Sequence, residues 1–74
     1  MMARTHMMYS VEVGCNAEEL ATVMSKMREW LDAQRFEPDT FRHTVDGTSV
    51  TIHLQFKVER QAIAFAQAFL GELV

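Results

Sequence analysis

Glu12 and His53 are the two residues whose types and settings best suit chemistry. Each sits in a run that alternates apolar and polar residues: Tyr9-Ser10-Val11-Glu12-Val13 and Ser49-Val50-Thr51-Ile52-His53-Leu54-Gln55-Phe56. Alternation of this kind marks half-buried strands, and both residues belong to the polar set of their run. If the strands are neighbours, a carboxylate lies beside an imidazole, which is how a general base is oriented. The same face offers only Ser10, Arg42, Thr51 and Gln55, so a substrate would find no apolar wall there. Solvent exposure or a plain polar contact is the better reading of the pair. Both stand as weak catalytic candidates.

Cys15 is the third candidate. It comes just before Asn16, where a helix is expected to begin, and the positive end of a helix lowers a thiol pKa. No base lies beside it in the sequence, and a small residue in a tight strand–helix turn is the plainer reading. Gly14, Cys15 and Asn16 together make a turn whose backbone N–H groups could hold a carboxylate or phosphate. A single glycine is thin support for such a ligand site. His43 falls between Phe41 and Val45 on an apolar face, where a histidine packs at a sheet margin with one hydrogen bond. Trp30 ends a helical apolar stripe and reads as core or interface, and Met24 and Met27 read as core fillers. Nothing in the spacing of Arg35, Arg42 and Arg60 gathers them into an anion site, and His6 is given no role. No Cys/His cluster has metal-ligand spacing, so neither a metal nor a cofactor is expected.

The elements that must position these residues follow from pattern. The first strand is expected over Met7–Val13, with Tyr9, Val11 and Val13 on one face, and Gly14 ends it. Asn16 with Glu19 makes a capping box for a helix over Ala17–Gln34. Glu18 and Glu19 suit its positive end. Its stripe is Leu20, Val23, Met24, Met27, Trp30 and Leu31, and Pro38 prevents continuation. Asp46-Gly47 then marks a two-residue type I′ hairpin between Phe41–Val45 and Thr48–Phe56. That turn pairs Val45 with Thr48, His43 with Val50 and Phe41 with Ile52. Phe41, Val45, Val50, Ile52, Leu54 and Phe56 then share one face. A last helix runs from Val58 or Glu59 to Gly71 or beyond, with Ala62, Phe65, Ala66, Phe69 and Leu73 as its stripe, widened by Ile63 and Leu70.

The chain has 74 residues, 49% of them hydrophobic, and a net charge of −3. That allows one domain over residues 7–74, preceded by a flexible tail at residues 1–6. A domain this short buries only about 60% of its unfolded surface. One cysteine permits no internal disulfide, which leaves self-association as the expected source of further burial. The acidic balance excludes a basic nucleic-acid footprint. No apolar run reaches the length of a membrane span, and the first residues lack the apolar stretch of a signal peptide, so no membrane partner and a cytoplasmic setting are expected.

Element order β-α-β-β-α with one apolar face on each element gives an α+β class: a three-stranded sheet, order 2-3-1, with two helices on one face. The pattern is similar to a ferredoxin-like fold lacking its last strand. A right-handed crossover is taken to set strand one parallel to strand three. Strand one is then a bare edge with no Pro, Lys or bulge to protect it. The function expected is a small non-enzymatic interaction or regulatory module, a homodimer paired through the edge of strand one. The competing expectation is burial of that edge by the Met1–Met8 tail or by another protein. The alternatives are a small-molecule-binding regulatory domain using the Gly14–Asn16 loop, and an enzyme using His53 or Cys15.

Overall fold

The computed structural model describes residues 8–74; the tail at 1–6 and the expected first strand residue, Met7, lie outside the described residues. The order is β1 (Tyr9–Asn16), a single 3-10 turn (Ala17–Glu19), α1 (Leu20–Gln34), β2 (Thr40–Asp46), β3 (Ser49–Phe56), α2 (Glu59–Phe69) and β4 (Glu72–Leu73). The protein is α+β, with two helices and an antiparallel sheet of four strands in the order β2-β3-β1-β4.

Three expectations about the sheet are corrected. First, β1 runs antiparallel to β3, not parallel, with Val11 opposite Leu54 and Glu12 opposite His53. The crossover through α1 joins β1 to β2, and the hairpin then reverses direction into β3. Second, the last strand is present: β4 pairs Leu73 with Val11 and Glu72 with Glu12. A two-residue strand without alternation leaves no pattern to read. Third, β1 does not stop at Gly14. It continues through Cys15, opposite Val50, to Asn16, opposite Ser49.

The hairpin is corrected in its turn. Asp46 pairs with Ser49, Val45 with Val50, His43 with Ile52 and Phe41 with Leu54, so the loop is Gly47-Thr48. Gly47 has φ 66°, and Thr48 is not among the left-handed residues. Glycine at the first central position alone is the type II′ pattern, not I′. The slip is two residues, so parity survives and each side chain keeps its expected face.

That parity builds the core. Val11, Val13, Val50, Ile52, Leu54 and Phe56 from the sheet close against Met27 and Leu31 of α1 and Ala62, Phe65 and Ala66 of α2. Burying a Leu or Phe side chain of this kind contributes roughly 1.5–3 kcal/mol. Trp30 bridges the helices, edge-on to Phe65 at 5.6 Å and to Phe69 at 5.9 Å. Phe36 covers the end of α1 and meets Trp30 at 5.7 Å.

Both helices end at a left-handed residue that is not glycine: Arg35 (φ 61°) and Leu70 (φ 54°). α2 therefore stops at Phe69, short of the expected Gly71. The reversal is fixed by a bond from the Gly71 N–H to the Ala66 carbonyl at 2.8 Å. It takes Leu70 out of the helix stripe to 92% exposure and carries Leu73 into β4.

Candidate functional site

The face of the sheet away from the helices carries the site. Alternation sends Ser10 and Glu12 of β1, Thr51, His53 and Gln55 of β3, and Thr40, Arg42 and Thr44 of β2 to this side. The register then aligns them in rows across the strands. Arg42, His53, Glu12 and Glu72 are successive direct partners, as are Thr40, Gln55 and Ser10.

Within the first row, the Glu12 carboxylate Oε2 lies 3.2 Å from His53 Nδ1. On the other side of the ring, Nε2 lies 3.1 Å from Thr44 Oγ1. A carboxylate only accepts, so Nδ1 carries the proton in that contact. In the neutral ring Nε2 then accepts from the Thr44 hydroxyl. The line carboxylate–imidazole–hydroxyl is the arrangement that activates an oxygen nucleophile. In the second row, Thr40 Oγ1 donates to Gln55 Oε1 and Gln55 Nε2 donates to Ser10 Oγ, both at 3.3 Å. A shallow depression of about 200 Å³ lies between the rows, lined by Ser10, Glu12, Thr40, Arg42, His53 and Gln55, with Val74 at its rim. Water reaches it freely: the His53 and Glu12 side chains are 27% and 40% exposed. An open polar shelf of this kind can hold a proton or orient a small polar group, but it does not exclude solvent.

The Gly14–Asn16 segment is placed differently from the expected turn, being the end of β1. The Asn16 N–H donates to Glu19 Oε1 at 3.3 Å, and the Ala17 N–H donates to the Thr48 carbonyl at 2.8 Å. These two backbone donors are taken, and Glu18 and Glu19 bring two carboxylates to the same spot. Cys15 is half-buried, and its side chain packs on the core. His53 and Glu12 are thus the sequence candidates that the fold brings together, and Cys15 is held on the opposite face of the sheet from them.

His43 does not pack at the sheet margin. It is exposed, and its neighbour Val45 is 60% exposed, because the turn end of the hairpin projects past the helices. Thr44 was missed as a member of the His53 line. Alternation puts Thr44 on the polar side, but the expected register sets it opposite Ser49; only the observed register, with Thr44 opposite Thr51 and Arg42 opposite His53, makes it a diagonal neighbour of His53. A second groove, of about 480 Å³, runs between the end of α1 and the start of β2, where the Arg28 guanidinium sits 5.2 Å above the Phe41 ring. It depends on how Phe36–Pro38 folds back, which no periodicity encodes.

Among the described residues no group of three or more His, Cys, Asp or Glu side chains is placed to hold a metal ion. No described helix is long and apolar enough to cross a membrane. The chain matches no protein-family model, no curated protein and no solved structure.

Proposed function

We propose that the protein is a small non-enzymatic interaction module that works as a homodimer joined at a sheet edge. The supporting observation is the state of the sheet's edges. β4 and the Val74 N–H, which donates to the Ser10 carbonyl at 3.0 Å, cover β1 over Ser10–Glu12. The edge of strand one is therefore largely taken. Among the described residues no strand pairs with the outer side of β2 along Thr40–Asp46, and β2 carries no Pro, Lys or bulge. An open edge pairs readily with another strand, and a chain this small gains most from doing so. The strand order β2-β3-β1-β4 is similar to a ferredoxin-like fold, which hosts many unrelated functions. A lone half-buried cysteine fits a reducing, cytoplasmic setting. Light scattering coupled to size exclusion tests the reading. At tens of micromolar the expected mass is twice 8.5 kDa, and a monomer across that range rejects it.

One observation favours a second reading, a small enzyme: the Glu12–His53–Thr44 line itself. Thr44 Oγ1 would attack the carbonyl carbon of an aryl ester while His53 takes its proton; the aryl oxide leaves with that proton, and water then releases the acyl group from Thr44. Thr44→Val and His53→Ala should each abolish any turnover of a small aryl ester, and turnover unchanged in both rejects this reading.

A further inference from the structure

The sheet's hydrogen-bond phase can be followed from one edge to the other. The Val74 N–H bonds the Ser10 carbonyl, so the even-numbered residues of β1 face β4. In an antiparallel ladder, alternate residues bond to alternate sides. Val11 and Val13 then bond to Leu54 and Ile52, and Thr51, His53 and Gln55 bond to Thr44, Arg42 and Thr40. Phe41, His43 and Val45 are left with backbone N–H and C=O groups turned outward from β2. Any strand added to this edge must pair with those three.

Beside them stand two exposed charges of opposite sign, Arg42 and Asp46, equally spaced about Thr44. Neither takes part in an ion pair among the described residues. Charges on an edge normally keep foreign strands away. Here their order is self-complementary. Turn a second β2 antiparallel about a two-fold axis through Thr44, and each position from 42 to 46 meets a fitting one. Arg42 faces Asp46 of the second copy on the polar side, twice over. His43 faces Val45 on the other side, covering an apolar side chain that is 60% exposed. Thr44 meets Thr44 at the axis. The odd residues face each other, as the outward backbone groups require. A register centred on His43 would instead oppose two imidazoles and leave both charges without opposite partners.

We infer that two copies of this chain join through β2, antiparallel about Thr44, with reciprocal Arg42–Asp46 pairs, into one continuous sheet of twice the width. This rests on the homodimer reading and names its edge, register and specificity. Opposite charges set directly across a ladder favour pairing and like charges oppose it. The two-fold applies either effect twice. Residues 42–46 alone form a small interface, so the dimer that forms at tens of micromolar should come apart on further dilution and in high salt.

Arg42→Asp and Asp46→Arg, made singly, together, and mixed as two single variants, test it by sedimentation equilibrium. Circular dichroism confirms that each variant keeps the fold, as substitutions at exposed positions should. Each single variant sets like charges opposite each other, and the dissociation constant should rise by roughly tenfold or more. The double variant restores the pairs and should recover the dimer. An equimolar mixture of the two single variants should also dimerise, because one copy then carries both acids and the other both arginines. A wild-type dimer that neither single variant weakens, or a loss that neither the double variant nor the mixture rescues, overturns the β2 interface while leaving a homodimer standing. A wild-type monomer overturns both.

Discussion

The two edges of the sheet meet the same physical problem in opposite ways. At one edge, β1 is covered by two residues of β4, and the cover is held by the fit of Gly71. A Cβ on Gly71 would lie 2.8 Å from Val13 Cγ2 and 2.9 Å from the Glu12 carbonyl oxygen. At the other edge, β2 presents a full strand with nothing paired against it among the described residues, guarded there by Arg42, His43 and Asp46. One edge is closed by shape and the other is filtered by charge. Closure by shape depends on a single backbone approach and is sensitive to one methyl group. Filtering by charge leaves the strand available to a partner with the complementary order.

The largest effect should come from the core that both edges share. Phe65 is fully buried and meets Phe56, Trp30 and Phe69. Phe65→Ala should destabilise by about 3–5 kcal/mol, a large fraction of what a small domain holds. Urea unfolding would measure it. Amide exchange would sharpen the comparison, because a shared core should lose protection in β1 and β3 together. Loss confined to one edge would mean that the edges are energetically separate. Phe69, only half-buried, should lose less on the same substitution.

Gly71→Ala should come next, at roughly 1–3 kcal/mol, because backbone at Glu12 cannot yield as a flexible side-chain end could. The segment from Gly71 onward would lift from β1. Amide exchange at Glu12 and Val74 should then accelerate while β2 and its partners in β3 stay protected. Equal acceleration at both edges would show that β4 does not act locally. A change in stability under ~0.3 kcal/mol would show that the close approach is not rigid.

How much of this was legible follows from what alternation can and cannot encode. Period two placed Val11, Val13, Ile52 and Leu54 inward and Glu12 and His53 outward, and the fold keeps all six there. Period 3.6 placed Met27, Leu31, Ala62 and Phe65 in the core. The turn type escaped because Asp46-Gly47 fits I′ as well as Gly47-Thr48 fits II′, and a two-residue slip leaves every face unchanged. β4 escaped because two residues have no period, and because Leu73 continued the spacing of the α2 stripe. The left-handed turn at Leu70 that broke that stripe costs about 1–2 kcal/mol locally. It is offset by the Gly71 N–H bond to the Ala66 carbonyl and by the close approach of Gly71 to β1, a strand distant in sequence. Thr44 escaped the site because it joins His53 across a diagonal, which depends on the register that the turn sets.

The smallest effect should come from Glu72. It lies directly across the ladder from Glu12, and two carboxylates set opposite each other weaken a pair of strands. Glu72→Lys should therefore strengthen the covered edge by roughly 0.2–1 kcal/mol. The gain should fade in high salt, since Glu72 is exposed and its field is screened there. Urea unfolding at low and high ionic strength measures both parts. No gain at low salt would mean that His53, 3.2 Å from the Glu12 carboxylate, already draws it off the line to Glu72. In that case His53→Ala should uncover the repulsion, and the lysine should then stabilise. The covered edge would then be tuned by the polar row that crosses the open face, and closure by shape would carry a charge component after all.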